Sequence, residues 1–219
     1  MPVMTTRMTL LICTANNFAS SCTTYNSRVA GTGTPRGAAT RARIRTAMMR
    51  LLQTGPDAPT VAEIASAADV YPNQITHHFG SKDRLFVEAA FALLLRDTDR
   101  LQAAGRRMQT AESFRAALAR TALAMPSLRH VVVALSLARE NEDVREEVRR
   151  AIGILFRQSE RYLDRMLQRH GWRSEHGTAR DVTTFWSATF GAVLLSAGGI
   201  PGGPSEVGLA ATMTIRADA

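Results

Sequence analysis

A short stretch of polar side chains in the first half of the chain has the chemistry to recognise a nucleic acid. Asn73 and Gln74 carry amides, each of which can donate and accept a hydrogen bond on the same adenine base. Lys82 adds a positive charge, and no acid lies between Asp69 and Asp83 to repel phosphate. The residues of this stretch that we predict to contact DNA are Tyr71, Pro72, Asn73, Gln74, Thr76, His77 and Lys82.

These side chains also have plainer structural interpretations. Amides on an exposed helix are usually only solvated, and a histidine beside Phe79 usually packs or meets phosphate. His77 and His78 point about 100° apart on a helix, which makes a poor metal site. We therefore predict neither a metal nor another cofactor.

Two short helices joined by a tight turn are predicted to position the polar stretch. Thr60 and Glu63 form a capping box that begins the first helix. Asp69 tolerates the left-handed conformation of a turn, and Pro72 suits the first turn of a helix. Gly80 ends the second helix. This pattern is a helix-turn-helix, with predicted inward positions Ile64, Ala65, Ala68, Ile75 and Phe79.

The positive charge is concentrated at one end of the chain. The formal net charge is +8, and seven arginines precede the first acid, Asp57. This asymmetry favours a nucleic acid as partner, with a membrane surface or a merely solvated tail as alternatives. Further predicted phosphate contacts come from a preceding helix and from two helix N-termini: Arg41, Arg43, Arg45, Thr60 and Lys82.

The remainder of the chain predicts an all-α protein of three parts. Residues 1–37 form a polar tail that is predicted to be disordered, residues 38–85 the helix-turn-helix domain, and residues 86–219 a larger helical body. No strand pattern is evident. Cys13 and Cys22 fall in the tail without zinc spacing, which fits a reducing cytoplasm.

One segment leaves a membrane alternative open. Residues 182–205 carry no charge, and a run of this length is long enough to cross a bilayer, which takes about 20 residues. However, Gly198 and Gly199 shorten its helical part, and several threonines and serines interrupt it. We interpret the segment instead as a helix buried between subunits.

The layout resembles the TetR family of bacterial transcriptional regulators. The motifs that carry the resemblance are TVAEIA at residues 60–65, ADV at 68–70, and HFGSKDRL at 78–85. It extends over about residues 38–90, and beyond them only the helical architecture is similar. Three residues depart from the family pattern: Asp69 replaces a turn glycine, Tyr71 a small capping residue, and Thr76 a tyrosine that touches phosphate.

The resemblance implies a homodimeric repressor that leaves a near-palindromic DNA operator when a small-molecule effector binds. It also implies an effector pocket in the helical body. No motif of an enzyme is present. An architectural DNA binder without an effector is a further alternative. The predicted pocket residues are Phe114, Leu118, Met125, Phe156, Met166, Trp186 and Phe190.

Overall fold

The computed structural model describes residues 34–55, 58–200 and 206–217, and these are almost entirely helical. The helices are α1 Pro35–Thr54, α2 Val61–Ala68, α3 Asn73–Phe79, α4 Lys82–Arg106, α5 Ala111–Leu123, α6 Leu128–Glu140, α7 Glu142–His170, α8 Thr178–Ala197 and α9 Glu206–Ala211. Two short strands, β1 Trp172–Ser174 and β2 Ile215–Ala217, pair antiparallel. The predicted all-α class is confirmed, with a small sheet that the sequence analysis missed.

Helix α1 begins three residues before the predicted start at residue 38. Thr34 caps it, since its Oγ1 accepts a hydrogen bond from Gly37 N at 3.3 Å and its carbonyl accepts one from Ala38 N at 3.0 Å. Pro35 follows, at the first helical position, where a missing N–H costs nothing. Residues 1–33 of the predicted disordered tail lie outside the described residues.

The helix-turn-helix forms in the predicted register. Thr60 and Glu63 make both bonds of the capping box at the start of α2. Asp69 ends that helix with φ 50° and ψ 57°, the left-handed conformation expected there. Gly80 ends α3 with φ 79°, a backbone angle that favours glycine, and Ser81 then caps α4 by accepting from Arg84 N.

The long helix α4 is the centre of the body. It packs against α3 on one side and against α5, α6 and α7 along its length. Residues 39–219 form one compact unit. The predicted boundary between residues 85 and 86 lies inside α4, and the division of residues 38–219 into two domains stays a prediction.

The small sheet is tied to α8 by a buried carboxylate. Asp181 is 1% exposed. One of its oxygens accepts from both N and Oγ1 of Thr214 at 2.9 Å, and the other from Oγ of Ser174 at 2.8 Å. A buried carboxylate needs such partners. Asp181 therefore holds Thr214, which directly precedes β2, close to Ser174 of β1.

The uncharged segment falls mainly in α8. Among the described residues, no single helix is long and apolar enough to cross a bilayer; α5 and α6 meet the criterion only as a pair, bent by 71°. Residues 201–205 lie outside the described ranges. At the end of the segment, Leu194, Leu195 and Ile200 are exposed.

Candidate nucleic-acid interface

Helix α3 buries one face and exposes the other. Ile75 and Phe79 are buried and face α2 and α4. Tyr71, just before the helix, is 81% exposed. Gln74 is half-buried, and the predicted contact residues that are exposed on or next to this helix are Tyr71, Pro72, Asn73, Thr76 and His77.

Two α1 arginines that we predicted to contact DNA are bound to a buried acid of α4. Glu88 is 2% exposed. Its carboxylate accepts from Arg41 at 3.0 and 2.7 Å and from Arg45 at 3.2 Å. The Arg41 guanidinium also lies 4.1 Å from the ring centroid of Phe79, in cation–π contact. We call this set of four residues the Glu88 cluster.

Arg43 and Arg50 also have partners within the protein, at the C-terminal end of α2. Arg43 Nη2 donates to the carbonyls of Ala68 at 2.7 Å and Asp69 at 2.6 Å, and lies 3.2 Å from the Asp69 carboxylate. Arg50 donates to Ala67 O at 3.1 Å. Cations at a helix C-terminus satisfy its free carbonyls. The basic face of α1 therefore holds the helix-turn-helix together. The phosphate contacts predicted for Arg41, Arg43 and Arg45 stay predictions, since each guanidinium has more N–H groups than these partners use.

Thr60 is also occupied within the protein. Its hydroxyl donates to Glu63 Oε2 at 2.8 Å and accepts from Glu63 N at 3.2 Å. Bonds from the Thr60 backbone N–H and hydroxyl lower the pKa of Glu63, so this carboxylate is charged at neutral pH. A negative charge beside Thr60 opposes the phosphate contact that we predicted there.

Lys82 lies at the first position of α4, directly after its cap. Ser81 Oγ accepts from Arg84 N at 3.1 Å, and the Lys82 side chain is half-buried. The N-terminus of a helix attracts anions through its free N–H groups. A lysine at this end, next to α3, has the position and charge that a phosphate contact requires.

His77 and His78 meet edge to face, with ring centroids 4.9 Å apart and an interplanar angle of 73°. Burial of its ring lowers the pKa of His78, and the neighbouring charges of His77 and Arg41 lower it further. His78 is therefore neutral at pH 7. Of the pair, the exposed His77 is the one available to a ligand.

Comparisons with known proteins agree with this geometry. Residues 44–89 match the sequence profile of bacterial regulatory proteins of the tetR family. Residues 111–214 match a profile described as bacterial transcriptional repressor C-terminal, in a TetR class. The chain belongs to the TetR family of bacterial transcriptional regulators.

Solved structures share the fold of this TetR-family chain. A protein from Rhodococcus sp. RHA1, described as a transcriptional regulator, is 28% identical, with a TM-score of 0.66 over 78% of this chain and 91% of its own. Reduced NemR of E. coli is 16% identical, with a TM-score of 0.57 over 82% and 99%. A regulator from Saccharomonospora viridis in complex with choline is 20% identical, with a TM-score of 0.53 over 78% and 91%. The search of curated proteins found no significant match.

The departures from the TetR pattern now have positions in the structure. Asp69 adopts the left-handed turn conformation without being glycine, and its carboxylate pairs with Arg43. Tyr71 and Thr76 are both exposed beside or on α3. The turn therefore accommodates an aspartate in place of glycine, while Tyr71 and Thr76 leave the fold unaffected.

The residues predicted to line an effector pocket pack mainly into the core. Phe114 lies between Tyr162 and Trp172, with ring centroids at 6.2 and 5.4 Å. Trp186 Nε1 donates to Ser159 Oγ at 2.9 Å. Buried among these predicted residues are Phe114, Leu118, Met125, Met166 and Trp186, whereas Phe156 and Phe190 are half-buried.

Two clefts flank the turn between α5 and α6. The larger, of about 580 Å³, lies between this turn and the end of α8. The smaller, of about 420 Å³, lies between the turn, α4 and the end of α1. Of the seven predicted pocket residues, Met125 alone lines either of these two clefts, and it lines the larger one.

Proposed function

We propose that this TetR-family protein is a repressor that binds a near-palindromic DNA operator as a homodimer and is released by a small-molecule effector. Such an activity places it in the cytoplasm. The observation that carries the proposal is the exposed face of α3. Its amides and hydroxyl stand on a helix that Ile75 and Phe79 anchor from behind. In a helix-turn-helix, the second helix enters the major groove with such a face towards the bases.

The proposed contacts fall into two kinds. Gln74 and Asn73 read base edges, since their amides can pair with adenine. Lys82 and His77 meet phosphate, which fixes the register of the protein on the duplex. Arg41, Arg43, Arg45 and Thr60 have partners within the protein and would add phosphate contacts through their remaining polar groups.

The homodimer is proposed from α8. On its last turn, Leu194 and Leu195 are 56% and 46% exposed, and Ile200 just beyond is 53% exposed. Exposed apolar side chains that lie together favour association with another protein surface. A symmetric pair requires an operator with two related half-sites.

The effector is proposed to act by shifting a population of conformers. A ligand that prefers a conformer with the two α3 helices wrongly spaced for successive major grooves lowers the affinity for DNA. The clefts beside the α5–α6 turn are the proposed places for such a ligand. The smaller cleft lies between α1, α4 and this turn, and the larger between the turn and α8. Occupancy of the smaller cleft would act on α1 and α4, the helices that pack beside α3.

Selection of bound duplexes from a random pool tests the proposal. We expect enrichment of one near-palindromic sequence whose half-sites are about one helical turn apart. An architectural binder would instead retain random and selected duplexes equally well. A selected sequence without two-fold symmetry would contradict the proposal that a homodimer binds the operator.

A further inference from the structure

The larger cleft combines an apolar wall with a single charge. Its apolar side chains include Leu123, Met125 and Leu128 on one side and Val193 on the other. Among the residues that line it, Arg129 alone is charged. Its volume of about 580 Å³ falls within the range of roughly 300–1,000 Å³ typical of small-molecule pockets.

Arg129 also lines the smaller cleft, on the other side of the turn. Its Nη2 donates to Leu52 O at 3.4 Å, a long hydrogen bond. Leu52 O belongs to the last turn of α1 and also lies 2.9 Å from His130 Nε2. The one cation of the apolar cleft is therefore in contact with the helix whose arginines hold the helix-turn-helix together.

We propose that the larger cleft binds an apolar monocarboxylic acid, with its hydrocarbon part against α5, α6 and α8 and its carboxylate on Arg129. The role of this acid as the effector rests on the proposed function, whereas its binding to the cleft does not. Arginine and a carboxylate form a strong charge-assisted pair. An apolar wall with one cation selects against alcohols, which lack the charge, and against amines, which carry the opposite charge.

The apolar wall explains why one acid group is accepted and a second is not. Among the residues that line the larger cleft, Arg129 is the single cation. A second carboxylate at the far end of the ligand would lie against Leu123, Met125 and Val193, where it would have no partner and its burial would be costly.

Binding of the acid changes what holds α1. A carboxylate on Arg129 competes with the carbonyl of Leu52 for the guanidinium, and an ionised acceptor forms the stronger bond. The hydrogen bond from Arg129 to the end of α1 is then weakened. Since α1 carries Arg41, which contacts Phe79 of α3, the acid acts on the DNA-reading helix through α1.

Calorimetric titration of the full chain with four eight-carbon probes tests the binding. The probes are octanoate, octanol, octylamine and the dicarboxylate suberate. We expect octanoate to bind at least about tenfold more tightly than the other three, which corresponds to one charge-assisted contact. Equal affinity for octanol, or no binding of octanoate, would overturn the proposal.

Variants of the lining residues locate the site. Arg129→Gln should reduce octanoate affinity to that of octanol and leave octanol unchanged. Ser196→Asp, which places a like charge at the exposed rim, should also weaken octanoate. Arg120→Gln is the matched control, because Arg120 is exposed on α5 and lines neither cleft. Unchanged octanoate binding in Arg129→Gln would refute the site.

Two further measurements separate this proposal from its rivals. If Ser196→Asp dissociated a dimer in sedimentation and octanoate did not bind, a second copy would cover the cleft and the proposal would fail. Octanoate should also weaken binding to the selected duplex in the unaltered chain but not in Arg129→Gln. Failure to select any duplex would refute the proposed function alone, since the titration needs no DNA.

Discussion

The carboxylate of Glu88 binds both terminal nitrogens of the Arg41 guanidinium, at 3.0 and 2.7 Å, and so ties α4 to α1. The same guanidinium covers the ring of Phe79 in α3. Three helices thus meet at one buried acid. This arrangement connects α4 through Arg41 to α3, the helix that we propose to read DNA.

Replacement of Glu88 by Gln should lower the free energy of unfolding by about 2 kcal/mol. Loss of one partner of a fully buried pair costs about 3–5 kcal/mol, and the arginine side chains here are 20% and 15% exposed, which reduces the effect. Urea denaturation measures the loss. Glu146→Gln is the control, since its pair with Arg149 is exposed and is worth less than about 1 kcal/mol. Equal losses in both variants would contradict a structural role of the Glu88 cluster.

Gly105→Ala should destabilise the body by about 1–3 kcal/mol, although alanine favours a helix, because the core has no room for it. A Cβ at Gly105 would overlap Tyr162 Oη and lie 2.8 Å from Phe114 Cε2. Thermal unfolding measures the change. Gly153→Ala in α7 is the control: its nearest atom is the flexible guanidinium of Arg157 at 3.1 Å. That variant should gain about 0.5–1 kcal/mol, and a gain at Gly105 too would be inconsistent with close packing there.

Stability should fall in mildly acidic solution partly through His78. Its pKa is lowered in the folded chain, chiefly by burial, so the unfolded chain binds the proton at a higher pH. This contribution is fully present above the ordinary histidine pKa of about 6.5 and is lost as the pH falls through the folded value. Unfolding measured from about pH 7.5 to 5.5 should therefore depend less on pH in His78→Gln. His176→Gln, at an exposed histidine, is the control, and an equal flattening there would rule out His78 as the source.

Lys82→Ala should weaken binding to every duplex and reduce the salt slope by about 1, as expected when one phosphate contact is lost. Affinity measured at several salt concentrations gives the slope. The control is Arg180→Ala, which removes the same charge from an exposed position of α8. A similar change of slope in both variants would mean that net charge, and not position, governs the effect.

Gln74→Ala should relax the preference at one base pair by about 1–3 kcal/mol without abolishing binding. Repeated selection with the variant identifies that base pair. Gln168→Ala, at an exposed glutamine of α7, should leave the selected sequence unchanged. An unaltered preference in Gln74→Ala would remove this residue from the base-reading set.

Local signals predicted the helix-turn-helix well because each concerns neighbours in sequence. The bond partners Thr60 and Glu63 are three residues apart, and Asp69 and Gly80 mark turns through their own backbone conformation. Ile75 and Phe79 lie one helical turn apart on one face. The strands β1 and β2 were missed since three residues are too few to show an alternating pattern.

Long-range partners could not be predicted in the same way. Glu88 is 47 residues from Arg41, so the basic helix gave no sign that its charges are neutralised internally. One signal was present: Glu88 is a single acid between Val87 and Ala89 in an otherwise apolar run. The clefts were missed for a different reason, because periodic apolar residues predict burial but not the gaps between packed helices.

The bonds of Asp181 have a consequence for the order in which the chain folds. Thr214, which supplies two of its three hydrogen bonds, is made 33 residues later. Until then the carboxylate cannot be buried at low cost, and β1 has no partner strand. During synthesis, the carboxylate of Asp181 therefore gains its full set of hydrogen bonds only after Thr214 has been made. The small sheet and its contact with α8 form late in folding.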